Sequence, residues 1–258
     1  MNHFGLSYIC IMQFWKENIS FILIEPQEPG NIGAAARALK NMGFKNLELV
    51  NPVHFHTKEA KWMSCQAYNM IKQAIVYSNF EDAIKDKNLI VGTTRRLGSR
   101  RGLIIPLKDS IRRIITVAKK NKVAILFGRE RNGLTNKEVK ECGFMITIPA
   151  DTTAPSLNVA QSVLLVAYEL SRKTYKTSSP ELVRHEELGS FYKRLEEILN
   201  LLEYVPRGDR DLERKIIQNI KHLAGRSGLT EWELNMLHGI CSQVERKINS
   251  KIDNYFVI

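Results

Sequence analysis

Over its first two thirds the chain alternates short apolar runs of strand length with stretches of helical spacing. SFILIEP at 20–26, NLELVNP at 46–52, a short segment around AIVY, NLIVGTT at 88–94, KVAILFG at 122–128 and FMITIP at 144–149 read as buried strands. Between and after them, NIGAAARALKNMG at 31–43, residues 57–75, a segment near 80–86, LKDSIRRIITVAKKN and SLNVAQSVLLVAYELSRKTY at 156–175 read as helices. Strands that alternate with helices of this length predict an α/β fold: a mostly parallel sheet covered by helices on both faces.

The pattern changes after the polar, Pro180-containing stretch TYKTSSPELV at 174–183, which reads as a linker. HEELGSFYKRLEEILNLLEY, RDLERKIIQNIKHLAG and TEWELNMLHGICSQVERKI then predict a small extension of three helices. The expected division is a leader over 1–14, an α/β domain over 15–176 and the helical extension over 177–258. MNHFGLSYICIM lacks the cationic start and small-residue cleavage site of a signal peptide and is too short to span a bilayer; Met12 is an equally good start.

Lys and Arg number 38 against 27 Asp and Glu, a net charge of +11, which favours a polyanionic partner, nucleic acid before membrane. Cys10, Cys65, Cys142 and Cys241 are scattered without a close pair, as suits free thiols in a reducing cytoplasm. His54 and His56 flank Phe55 and would share one face of a strand, but without further ligands at metal spacing no metal is expected.

Ligands of parallel sheets bind beyond the carboxyl ends of the strands. The residues after the strands are therefore the informative ones: EPQEPGNIGAAARALKNMG, VGTTRRLGSRRG, LFGRERNGLTNKE and IPADTTAPSLNVAQS. Neither a dinucleotide fingerprint, nor a P-loop, nor a serine nucleophile elbow occurs among them. Singly, each has a structural explanation. Asn31 caps its helix, Gly128 ends a strand, Glu130 pairs with Arg129 or Arg131, and Ser156 and Asn158 cap the long helix.

In order, GNIGAAARALKNMGF, LFGRERNGLTNKE and PSLNVAQSVLLVAYE resemble the three signature motifs of the SpoU/TrmH branch of the SPOUT RNA methyltransferases. FYKRLEEIL and LTEWELNMLHGICSQVE resemble the helical extension of the TrmJ subgroup, so the resemblance spans roughly residues 19–248. It implies a deep trefoil knot, which topology rules would not predict. It also implies S-adenosylmethionine as cofactor, and a homodimer whose two subunits build each active site.

The implied reaction is methyl transfer to a ribose 2′-hydroxyl of tRNA, at nucleotide 32 of the anticodon loop. Another tRNA site, ribosomal RNA, or an inactive RNA-binding relative are the alternatives. By the same resemblance, Asn31, Arg37, Glu130, Ser156 and Asn158 are the catalytic set. Thr93, Thr94, Arg95, Gly128, Ile148, Ser156, Leu157 and Asn158 would hold the cofactor, and Arg37, Arg96, Arg100 and Arg101 the RNA. Lys193, Arg194, Arg214, Lys215, Lys221 and Arg226 would extend the RNA footprint onto the extension.

Overall fold

The computed structural model describes residues 14–96, 102–151, 153, 156–173, 180–204 and 210–255. Seven parallel strands form its sheet: β1 (Ile19–Ile24), β2 (Asn46–Val50), β3 (Ile75–Tyr77), β4 (Leu89–Thr93), β5 (Ile104–Pro106), β6 (Val123–Phe127) and β7 (Phe144–Thr147). Their order is β3-β2-β1-β6-β4-β7-β5. Ile22 stands beside Glu48 and Leu126, and Gly92 beside Leu126 and Met145, so the central strands finish nearly level. β5 is absent from the sequence reading, because three residues ending in a proline carry almost no strand signal.

The helices of the α/β part are α1 (Pro29–Asn41), α2 (Lys58–Ser64), α3 (Tyr68–Lys72), α4 (Phe80–Ile84), α5 (Leu107–Ala118), α6 (Asn136–Glu141) and α7 (Val159–Ser171). One sheet face carries Phe21, Leu49, Val91, Ile125 and Phe144, buried under α1, α5 and α7. The other carries Ile22, Val50, Ile90, Leu126 and Met145, covered by Phe80 and Ile84 of α4 and Val139 of α6. Strands buried on both faces explain the unbroken apolar runs in the sequence.

Three local expectations change. The predicted helix 57–75 is broken at Cys65, whose φ of 48° leaves the helical region and starts a 3₁₀ turn at Cys65–Ala67 before α3. α1 begins at Pro29, which needs no amide donor at a helix start, so Asn31 lies inside the helix and Glu28 is its N-cap. His54 and His56 lie in extended coil rather than in a strand; both are exposed, with buried Phe55 between them.

The extension consists of α8 (His185–Leu201), α9 (Arg210–Ser227) and α10 (Glu231–Tyr255), around Leu188, Phe191, Ile198, Leu234 and Cys241. The end of the expected linker is fastened to the amino end of the sheet. Leu182 donates its backbone N–H to Asn121 (2.7 Å), Asn88 donates to the Leu182 carbonyl (2.6 Å), and His185 N–H to that of Lys87 (2.8 Å). α9 meets the strand end backbone to backbone: a Cβ on Gly143 would lie 2.1 Å from the Gly225 carbonyl oxygen. Beside that contact His222 is hydrogen-bonded to the Cys142 carbonyl (3.2 Å), and burial holds its pKa below the usual value of 6.5. Lys221 and His185 both reach the carboxylate of Glu141, at 3.2 and 3.1 Å.

Candidate active site

Beyond the carboxyl ends of β4, β6 and β7 lies a cavity of about 140 Å³. Its walls are the apolar Phe127, Leu134, Ile146, Ile148 and Leu157, and its mouth carries Arg95, Arg96, Glu130, Arg131 and Ser156. The loops around it are preset by short hydrogen bonds. The Thr93 hydroxyl donates to the Leu126 carbonyl (2.9 Å), Thr94 N–H to that of Ile146 (2.9 Å), and the Thr94 hydroxyl oxygen accepts from Arg96 N–H (3.0 Å). Gly128 is required by close approach: a Cβ there would lie 2.2 Å from the Gly133 carbonyl carbon. Gly133 itself has a φ of 66°, and its N–H closes the loop onto the Arg129 carbonyl at 2.8 Å.

Arg129 anchors this loop from beneath. Its guanidinium takes the Glu25 carboxylate in a two-point pair, Nε to Oε2 at 2.8 Å and Nη2 to Oε1 at 2.6 Å, and bonds Glu138 at 3.0 and 3.1 Å. The pairing raises the arginine pKa and holds the Glu25 carboxyl below its ordinary value, so both stay charged at neutral pH. Sequence reading missed this anchor and offered Arg129 only as one of two neighbours, with Arg131, that could pair with Glu130. Its two carboxylates stand 104 and 9 residues away in sequence, which no local pattern discloses.

Glu130 turns instead toward the first motif. Its carboxylate accepts from the Gln27 N–H (3.2 Å) and from the Asn31 side-chain amide (3.1 Å). The Asn31 carbonyl oxygen in turn accepts from the Asn158 amide at 2.8 Å. Asn158 is the N-cap of α7, with its oxygen accepting from Ala160 N–H (2.8 Å) and a reciprocal bond from its own N–H to Gln161. Asn31, Glu130 and Asn158, one from each of the three motifs, therefore form one hydrogen-bonded chain beside the pocket.

Ser156, Leu157, Gly128, Thr93, Thr94, Arg95 and Ile148 line the cavity, whereas Asn158 is occupied with Asn31 and its own helix. Arg37 does not join them. It is exposed two turns further along α1, beside Lys58, Lys61 and Trp62. Arg96 lies at the cavity mouth; Arg100 and Arg101 lie outside the described residues. On the extension, Arg194 is claimed by Glu245 (Nε to Oε1 at 2.7 Å) and Lys221 by Glu141, so these two cations are already spent within the fold. Lys193 and Lys215 are exposed, Arg214 lies 3.7 Å from Asp211, and Arg226 is half-buried. Among the described residues no three potential metal ligands converge, and no helix is long and apolar enough to cross a membrane.

The arrangement defines an α/β protein with a ligand slot beyond its strand ends. The pattern of the SpoU rRNA Methylase family matches residues 18–168, and the chain belongs to that family. Residues 186–253 match a second pattern, the C-terminal domain of the tRNA methyltransferase TrmJ. A Haemophilus influenzae protein described as an uncharacterized tRNA/rRNA methyltransferase is 36% identical over 92% of this chain and 99% of its own. TrmJ of Pseudomonas aeruginosa, described as a tRNA (cytidine/uridine/adenosine-2′-O-)-methyltransferase, is 32% identical over 89% of this chain and 95% of its own. Among solved structures, TrmJ from Z. mobilis ZM4 is similar over 88% of this chain and 98% of its own, with 30% identity and a TM-score of 0.72.

The chain is accordingly a methyltransferase dependent on S-adenosylmethionine. The cavity fits that cofactor. Its apolar walls suit an adenine ring, the strand-end loops bring backbone groups close enough to bind a ribose, and Arg95 suits a carboxylate.

Proposed function

We propose that the chain methylates a ribose 2′-hydroxyl of tRNA, with nucleotide 32 of the anticodon loop as its target. The observation that carries this reading is the Asn158–Asn31–Glu130 chain, which ties all three signature motifs to the rim of one pocket. The TrmJ-type relatives support tRNA as the substrate.

Bound S-adenosylmethionine supplies the electrophilic methyl group, so the protein has to position the hydroxyl, orient it and give its proton a path. Thr93, Thr94, Arg95, Gly128, Ile148, Ser156 and Leu157 hold the cofactor, and Asn158 fixes the loop that carries the last two. Arg96 at the mouth, with Arg100 and Arg101, takes RNA phosphates and positions the strand without reading its sequence. Arg37 contacts the target phosphate and polarises the hydroxyl. A guanidinium stays protonated at neutral pH, so the proton leaves to phosphate or water rather than to Arg37.

A homodimer accounts for the distance between Arg37 and the pocket of its own subunit: each Arg37 serves the pocket of the second subunit. Exposed Leu164, Leu165 and Tyr168 on α7 form the apolar face suited to that association. The same reading carries the trefoil knot around the pocket, the division at residues 15–176 and 177–258, and a cytoplasmic site of action.

Label transfer from S-adenosylmethionine into an unmodified tRNA transcript, with the methylated nucleotide mapped, tests the reading. Methylation at nucleotide 32 is expected. Incorporation elsewhere in tRNA, or into ribosomal RNA alone, replaces the substrate; no incorporation into any cellular RNA removes the activity. Gel filtration showing only monomer would break the two-subunit site.

A further inference from the structure

Trp62 is the most exposed large apolar side chain among the described residues, at 77% of its surface. Its place follows from α2, which is seven residues long and presses Ala60 and Ser64 against the protein. That face is fixed by close helix contact, since a Cβ on Gly33 of α1 would lie 2.5 Å from the Ala60 carbonyl oxygen. With Ala60 held there, Trp62 must point away from the core. Arg37, one turn beyond Gly33 on α1, comes to the same shallow depression, together with Lys58 and Lys61.

The charge around the indole is unbalanced. Arg37, Lys58 and Lys61 line the depression with Trp62, Met63 and Cys65, and no carboxylate does. The one acid on α2, Glu59, lies back against Gly30. Lys61 is steadied over the ring of Tyr68, with Nζ 5.9 Å from its centroid. An exposed aromatic plane ringed by cations matches single-stranded nucleic acid: the π-face stacks a base while the cations take the flanking phosphates. A second copy of this chain fits less well, because a two-fold contact through this patch would set like charges against each other.

We infer that Trp62 is a base-stacking platform for an unpaired nucleotide of the RNA substrate, with Lys58 and Lys61 holding the phosphates on either side. The inference rests on the RNA-methylating reading above and deepens it. It makes Trp62 a positioning residue for RNA rather than a catalytic one, because it stacks a base and takes no part in polarising the hydroxyl, which falls to Arg37 in the same depression.

The protein has three tryptophans, and Trp15 is buried at 5% exposure, so in a Trp232→Phe background Trp62 is the exposed reporter. Titration of that full-length variant with an unmodified tRNA transcript is expected to quench its fluorescence, and a fully paired RNA duplex of equal length is expected to leave it unchanged. Trp62→Ala is expected to raise the Kd and KM for the transcript roughly 5- to 100-fold. Its affinity for S-adenosylmethionine, its Tm and its salt dependence stay those of the parent. Trp62→Phe should recover most of the loss, because a phenyl ring still stacks. Lys58→Gln with Lys61→Gln should instead flatten the salt dependence of binding.

If the parent methylates the transcript and Trp62→Ala matches it in Kd and KM, the inference falls and the function stands. If the parent binds and is quenched by the transcript but transfers no methyl group, the function falls and the platform stands. Absence of both binding and transfer overturns both. Loss of the dimer in Trp62→Ala, with RNA affinity per subunit unchanged, would assign the patch to a second copy and overturn the inference.

Discussion

At the amino end of the sheet, Ser20, Glu48 and Lys87 close an ionic cluster nearly sealed from solvent; at the carboxyl end, Glu25, Arg129 and Glu138 close another under an open pocket. In the first, the Lys87 Nζ lies 2.9 Å from Glu48 Oε1, which also accepts from the Ser20 hydroxyl, and both charged side chains are 4% exposed. Tyr77 stands over the same carboxylate, and burial with that negative charge pushes its phenol up to about 12. In the second, Glu25 is 41% exposed and Arg129 16%, and the pair props the loop that carries Glu130. One cluster fixes strands to each other; the other fixes a loop to a strand end and leaves its neighbours facing a cavity. The same chemistry of paired charges serves stability where both partners are buried and positioning where one stays wet.

Four substitutions or conditions would break or sharpen this contrast. Arg37→Ala lies outside both clusters and should have the largest effect: transfer falls at least ~100-fold, the scale of removing one charge-stabilising donor at a reacting centre. S-adenosylmethionine affinity, by calorimetry, should stay within a few-fold; normal methylation would refute the role given to Arg37. Glu48→Ala should cost about 2–3 kcal/mol of stability, because it leaves the buried Lys87 with Asp86 (3.3 Å) as its remaining carboxylate partner, and lower Tm by roughly 4–12 °C. Transfer per folded molecule should not change, and a loss below about 1 kcal/mol in urea would erase the distinction between the two ends.

Asn31→Ala should show the reverse profile: transfer down by roughly 10- to 100-fold through loss of alignment, with stability lowered by only about 1 kcal/mol. Steady-state kinetics and a melting curve on the same preparation decide it. The smallest effect concerns His222. Its folded pKa lies below 6.5, so the unfolded chain binds the proton more readily. Its contribution is complete above 6.5 and fades as pH falls through that value toward the folded-state pKa. The melting temperature should therefore drop between pH 7.5 and 5.5, and His222→Gln should flatten that part of the slope.

Much of the fold is legible in the sequence because strands buried on two faces must be continuously apolar, as KVAILFG at β6 shows. β5 escapes because its apolar run is only three residues long and closes on Pro106. At the site, Asn31, Glu130 and Asn158 are legible as members of ordered motifs, but not their bonding: Asn158 and Asn31 are 127 residues apart. The Arg129 anchor and the break at Cys65 are set by tertiary packing and by one backbone angle, neither of which has a periodicity to detect. Trp62 was hidden for the opposite reason. It sits in an apparently continuous helical pattern over 57–75, where an aromatic reads as core.

The contact between Gly143 and Gly225 also bears on how the chain is made. During synthesis β7 emerges well before α9, so the groove beside Gly143 stands uncovered until the second helix of the extension arrives. Closing it joins segments far apart in sequence, a step whose loop-closure entropy is met only after the sheet has assembled. A chain ending near residue 180 would lack Gly225 and His222 and so leave Cys142 and Gly143 without their cover. It would therefore expose a strand end that the finished protein keeps covered.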